Sequence, residues 1–162
     1  MKDNAKLMNA LDALSGSEAS CTVKLSDGRR YNLMQVFKFE AKMDINATNV
    51  AILGRGNQGS KPTGWKGTWS GTAYYNTSIF RMMMLEYKKT GKMPEMVITV
   101  SNEDPTSAAG RQTVVLLGVL INSLVLTKYD ASTDSPIEED ISGTFDDWDM
   151  PETFSMLPGM AD

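Results

Sequence analysis

Residues 31–46 read YNLMQVFKFEAKMDIN, and their alternation decides the fold class. Tyr31, Leu33, Phe37, Phe39, Ala41, Met43 and Ile45 occupy alternate positions, with the polar Gln35 as the single break. Between them stand Asn32, Lys38, Glu40, Lys42, Asp44 and Asn46, accompanied by Met34 and Val36. Successive side chains of a strand point to opposite faces. A period of two held this long therefore predicts an extended strand with one face covered and one face wet.

Downstream, residues 50–53 add a short apolar continuation. Residues 54–64, GRGNQGSKPTG, then bring four glycines and a proline together with Arg55 and Lys61. This run has no apolar side chains to pack and predicts an irregular connection. Long loops in compact domains usually have a role, so a contact that orders against another subunit is favoured over a solvated hairpin tip. Alternation resumes over 65–76. Trp65, Gly67, Trp69, Gly71, Ala73 and Tyr75 oppose Lys66, Thr68, Ser70, Thr72 and Tyr74. The hydroxyl-rich face reads as a solvated sheet surface. Aromatics beside a lysine can stack bases, but here the two indoles share a face with glycines, which favours core packing.

Residues 77–90, TSIFRMMMLEYKKT, change period. Ile79, Phe80, Met83, Met84 and Tyr87 form a helical stripe, Thr77 suits the start, and Lys88, Lys89 and Gly91 suit the end. Met82, Met83 and Met84 permit an adaptable surface, although ordinary core filling is the simpler reading. At the amino end, Leu7, Met8, Leu11 and Leu14 predict a short amphipathic helix over 4–14. So short a helix needs a surface to lie on, in its own domain or on a neighbour. Ser15 to Ser17 break it, and Cys21, Val23 and Leu25 lead into a hairpin at Ser26-Asp27-Gly28. Further strands are expected over 96–101, 113–129 and 137–147, separated by a turn-rich segment at 102–110.

Composition narrows the function classes. The chain has 162 residues, a formal charge of -4, one cysteine and no histidine. An acidic protein is a poor non-specific ligand for nucleic acid backbones. Without histidine there is no ordinary neutral-pH proton shuttle and no common zinc ligand. Cys21 has no histidine partner, beside Val23 it reads as an inert buried thiol, and a lone cysteine fits a reducing compartment. The start of the chain lacks the apolar core of a secretory signal, and VVLLGVLINSLVL at 114–126 is short for a membrane span. It reads as a buried strand.

No catalytic constellation emerges. The acids Asp134, Glu138, Glu139, Asp140, Asp146, Asp147, Asp149 and Glu152 lack the ordered spacing of a calcium loop, and nothing marks two of them as a glycosidase pair. They read as a solvated acidic surface. The glycine run at 54–64 lacks the glycine-to-lysine spacing of a phosphate loop. No catalytic residue, cofactor or metal ligand is assigned.

Several segments, in order, resemble the tail tube proteins of phages and phage-derived contractile particles of Gram-positive bacteria. They are SGSEASCTVKLSDG at 15–28, FKFEAKMDINATNVAILGR at 37–55, GWKGTWSGTAYYNTSIFRMMMLEYKKTGKMP at 64–94 and ISGTFDDWDMPETF at 141–154. The resemblance implies a mainly β protein: a tail-tube β-barrel or sandwich with one flanking α-helix and a long inter-ring loop. It implies an arm at 1–14, one tail-tube domain at 15–154 and a tail at 155–162. Hexameric rings would stack into a hollow tube inside a contractile sheath, guiding DNA delivery or perforating a bacterial envelope. Gly54, Arg55, Asn57, Gln58, Lys61 and Pro62 would contact the neighbouring ring. Lys38, Glu40, Lys42, Asp44, Lys66, Thr68, Ser70 and Thr72 would lie on strands at the subunit interface or lumen. The implied partners are further copies, a sheath protein, a baseplate initiator, a tail terminator, and tape-measure protein or DNA in the lumen. No specific nucleic-acid binding and no membrane segment are implied. The particle tail would be the location, after synthesis in the host cytoplasm. The alternatives are a type VI secretion tube protein and, in a different class, a monomeric β-rich carbohydrate-binding module.

Overall fold

A computed structural model describes residues 7–161. Eight strands and one α-helix follow one another as β1 (Ala19–Leu25), β2 (Arg30–Asn32), β3 (Val36–Val50), β4 (Gly59–Tyr74), α1 (Ile79–Thr90), β5 (Met96–Glu103), β6 (Arg111–Leu124), β7 (Glu138–Phe145) and β8 (Asp147–Glu152). All pairings are antiparallel, in the order β2-β1-β5-β6-β7-β4-β3, with β8 added on β6.

The sheet turns its corner within β6. Residues up to Val119 pair with β5 and those up to Leu117 with β8, whereas Leu120 to Leu124 pair with β7. Gly118 sits at the switch with φ +63, and a Cβ there would meet the Asp146 carboxylate at 2.6 Å. Only a residue that tolerates the left-handed region and has no side chain fits both demands. The two limbs of the sheet then enclose one core. Val23, Leu25, Met96, Ile98, Leu116 and Val119 come from one limb, and Trp69, Ile141 and Phe145 from the other. Phe80 and Met83 of α1 pack with them. The helix stops at Gly91, in the left-handed conformation (φ 74), whose N–H donates to the Tyr87 carbonyl at 2.7 Å.

The hairpin turning at 26–28 and the helix are present. The strand expected over 31–46 is divided: β2 ends at Asn32, a turn occupies 33–35 with the Val36 N–H donating to the Leu33 carbonyl at 3.1 Å, and β3 starts at Val36. Phe37, expected on the covered face, is an extra residue in the ladder and is exposed, while Val36 packs against the core. Four further expectations are corrected. Residues 4–6 of the proposed amino-terminal helix lie outside the described residues, and 7–14 hold only a 3-10 turn at Ala10–Asp12, with Leu7, Met8 and Leu11 exposed. Asp12 instead ties the segment to the 104–110 turn: its carboxylate accepts from the Ala108 N–H and its carbonyl from the Ser107 hydroxyl, both at 3.0 Å. The glycine-rich run is not irregular throughout, because β4 already begins at Gly59. The strand expected over 113–129 ends at Leu124. Finally, DWDMPE belongs to β8, whose pairing with β6 no periodicity announces.

Candidate functional site

The long hairpin β3–β4 organises the surface. Its pairing runs from Val36 opposite Ala73 to Val50 opposite Gly59, with extra residues at Phe37 and Thr63. Pro62 has no N–H to give to a ladder, and it lies beside the second irregularity, where that loss is tolerated.

All eight strand residues singled out from the sequence come together on one face. Lys38, Thr72 and Asp140 form one cross-strand row; Glu40, Ser70 and Ser142 the next; Lys42, Thr68 and Thr144 the third. Asp44 opposes Lys66 directly. Charges alternate along β3, so no like pair is directly opposed, as sheet stability prefers. The Thr72 hydroxyl donates to the Asp140 carboxylate at 2.9 Å, joining β4 to β7.

The other face is covered only near the body of the protein. Phe39 stacks on buried Trp69, ring centroids 5.9 Å apart, and the Trp69 indole N–H donates to the Leu120 carbonyl at 3.2 Å. Glycines make this packing possible: a Cβ on Gly67 would meet the Phe145 ring at 2.4 Å, and one on Gly143 the Leu120 carbonyl oxygen at 1.8 Å. Beyond this level cover ends. β7 follows β4 only as far as Gly67, and the remainder stands off as a two-stranded arm. Trp65, expected in the core, rests on Phe145 at 6.1 Å and stays partly exposed. Met43 and Ile45, expected to be covered, are exposed too.

The loop residues separate into two groups. Gly54, Arg55, Asn57 and Gln58 lie in the connection 51–58, where the Arg55 N–H donates to the Ile52 carbonyl at 3.2 Å. Lys61 and Pro62 belong to β4, opposite Thr48 and Ala47. The tip is also apolar: Val50, Ile52 and Leu53 are exposed.

Glu139 is the residue that sequence reasoning placed wrongly. It is 2% exposed rather than part of a solvated acidic surface, and its carboxylate accepts from the Arg81 guanidinium of α1. Arg81 also donates to the Thr77 and Val125 carbonyls and lies 4.4 Å over the Tyr75 ring. The parity of β7 was the available signal, since Glu139 shares its face with Ile141 and Phe145. Cys21 sits half-buried, and desolvation pushes its thiol up to about 11, consistent with an inert thiol. Among the described residues, no three side chains of the metal-binding types gather as a site.

A family model described as phage tail tube protein matches residues 6–152. The chain belongs to this family. It is 32% identical over 142 residues to the phage-like element PBSX protein XkdM of Bacillus subtilis (strain 168), covering 85% of this chain and 96% of that relative. YqbM of the same strain, itself uncharacterised, is 32% identical over 139 residues, covering 83% and 94%. Among solved structures, the chain is similar to one from the tube-terminating cap of the anti-feeding prophage, with TM-score 0.67, 11% identity and coverage of 94% and 99%. A chain of the PVC sheath-tube complex gives TM-score 0.61 at 13% identity, covering 85% and 90%. At these identities the likeness is one of fold. This tail tube protein thus presents a polar sheet face and a projecting two-stranded arm.

Proposed function

We propose that this protein forms six-membered rings that stack into the hollow tube of a contractile phage tail or phage-derived particle. The observation that carries the reading is a sheet with two unpaired edges. In the polar-faced limb, β3 pairs only with β4, and residues 120–124 of β6 pair only with β7. An open edge invites strand addition, and edge-to-edge pairing around an axis removes both edges at once. Each subunit contributes four strands to this limb, so six copies bring about 24 round the axis. At ~4.8 Å between strands, the backbones would stand at least ~35 Å apart across the channel.

The polar face would then line the lumen. Lys38, Lys42 and Lys66 are interleaved with Glu40, Asp44 and Asp140, so it carries no cationic stripe that would hold phosphates. DNA or another cargo can slide past such a wall without being bound. The face not covered beyond Phe39, together with the arm, would be buried against neighbouring copies and rings. Sheath, initiator and terminator proteins would complete the particle.

Electron microscopy of purified protein over a concentration series tests the assembly, with six-fold rings or hollow tubes expected. Single-cysteine labelling tests the face. With Cys21 replaced by serine, Ser70→Cys should react with bulky maleimides in free subunits and resist them in tubes. Equal labelling in both states would place the polar face outside the lumen.

A further inference from the structure

A cleft of about 600 Å³ lies between β3 and β1, with no residue of β4 in its lining. Cys21, Leu33, Met34, Val36, Phe37 and Phe39 give it apolar walls, and none of the described residues around it is charged. Met34 is 90% exposed and Phe37 40%, so apolar surface stands open to water there. At the opposite edge of the same limb, Leu126 is 72% exposed, two residues beyond the end of β6. We infer that the segment 125–129 of a second copy covers this cleft, with Leu126 entering it. The inference rests on the ring reading above and adds a lateral contact outside the paired strands.

The segment is held in place by its own subunit. The Arg81 guanidinium donates to the Val125 carbonyl at 3.2 Å, and the Lys128 ammonium to the Glu138 carbonyl at 3.0 Å. Leu126 lies between these two ties and is still left without cover. An aliphatic side chain on a pinned segment is a preformed knob, with little ordering entropy left to lose on binding. Topology brings that knob to a neighbour's cleft. Strand directions alternate along β3-β4-β7-β6, so in a ring made by rotation β6 of one copy meets β3 of the next antiparallel. One cross-strand row runs through Leu124, Ile141, Gly71 and Phe39. The residues after Leu124 therefore stand level with those before Phe39, where the cleft lies. Within one subunit β7 and β4 separate the two edges by three strand spacings, ~14 Å, so Leu126 does not reach its own cleft. The match is apolar. The one charge of the segment, on Lys128, is turned to the Glu138 carbonyl, and the cleft presents no charge to meet it.

Cross-linking tests the contact. In a Cys21→Ser background, Leu126→Cys combined with Met34→Cys should give covalent multimers when assembled rings are treated with a short bismaleimide. These multimers should rise to the hexamer and stop there. Dimers from either substitution alone would mean that like surfaces meet, and multimers beyond six that the segment bridges rings; either would overturn the proposal. Normal rings without cross-links would overturn it too, while leaving the ring reading intact. A parent chain that never forms rings would remove that reading and the cleft's role with it. Independently, Leu126→Asp, at an exposed position, should leave the fold intact and raise the concentration needed for rings at least about tenfold. An unchanged ring-forming concentration would overturn the proposal.

Discussion

The Arg81 guanidinium on α1 donates to the buried carboxylate of Glu139 on β7, and so fastens the helix to the polar-faced limb of the sheet. The same guanidinium holds the Val125 carbonyl at 3.2 Å, immediately after β6. One side chain thus spans helix, β7 and the strand end that offers an open edge. Removing a single partner strands a buried charge. Arg81→Met should therefore destabilise the subunit by about 3–5 kcal/mol in denaturant unfolding. Arg81→Met with Glu139→Leu should recover most of that loss. A double variant as unstable as the single one would show that the pair matters for packing rather than for charge.

Gly67 and Gly143 test the aromatic packing in different ways. Gly67→Ala presses on the Phe145 ring, a side chain, whereas Gly143→Ala presses on the Leu120 carbonyl, which is backbone. Gly67→Ala should lose about 1–3 kcal/mol, the usual cost of overpacking, and regain part of it when Phe145 is shortened to leucine. Gly143→Ala should lose more, because it breaks the β6–β7 register, and no side-chain truncation should rescue it. Thermal unfolding of these three variants separates the outcomes.

Asp104 supplies a pH dependence of known sign. The Thr106 hydroxyl first, then the Ser15 and Thr106 N–H groups, hold its carboxyl below the ordinary 3.8. A depressed carboxyl contributes stability above its unfolded value and loses it as pH falls through the folded one. The amino-terminal segment, tied to this turn through Ser15 and Asp12, should loosen only below pH 3.8. The protection factor of the Ser15 amide should fall there in the parent and already be low at neutral pH in Asp104→Asn. Equal protection in both proteins at pH 7 would show that the carboxylate does not hold the segment.

Much of this architecture was legible because it is periodic. The alternation over 38–46 and 65–72 put all eight polar-face candidates on one side, because parity is unbroken between the extra residues at Phe37 and Thr63. Helix α1 carried its own punctuation in Lys88, Lys89 and Gly91. What escaped depended on partners far away in sequence. Nothing local shows that Glu139 meets Arg81, or that β6 changes partners just after Gly118, between Val119 and Leu120. The arm misled for a related reason. Apolar alternation at Met43 and Ile45 predicts cover without saying whose, and within one subunit there is none. The glycine run concealed a strand because Gly59 to Gly64 are ordered by the ladder to β3 rather than by their own side chains.

The arm itself gives the last prediction. Val50 directly opposes Gly59, so the connection 51–58 can be exchanged for Asn-Gly, the preferred two-residue turn, without changing the register. The removed residues include Ile52, Leu53 and Arg55 but no buried side chain, so the melting temperature of the free subunit should stay within about 2–4 °C of the parent. Stacking should suffer instead. Burying an aliphatic side chain contributes about 1.5–3 kcal/mol, and each ring-to-ring contact would lose two of them in every subunit. Rings should persist, because the open edges of β3 and β6 are untouched, while long tubes disappear from micrographs. Tubes of parental length and yield would show that the tip carries no stacking energy and that the contact lies elsewhere on the arm.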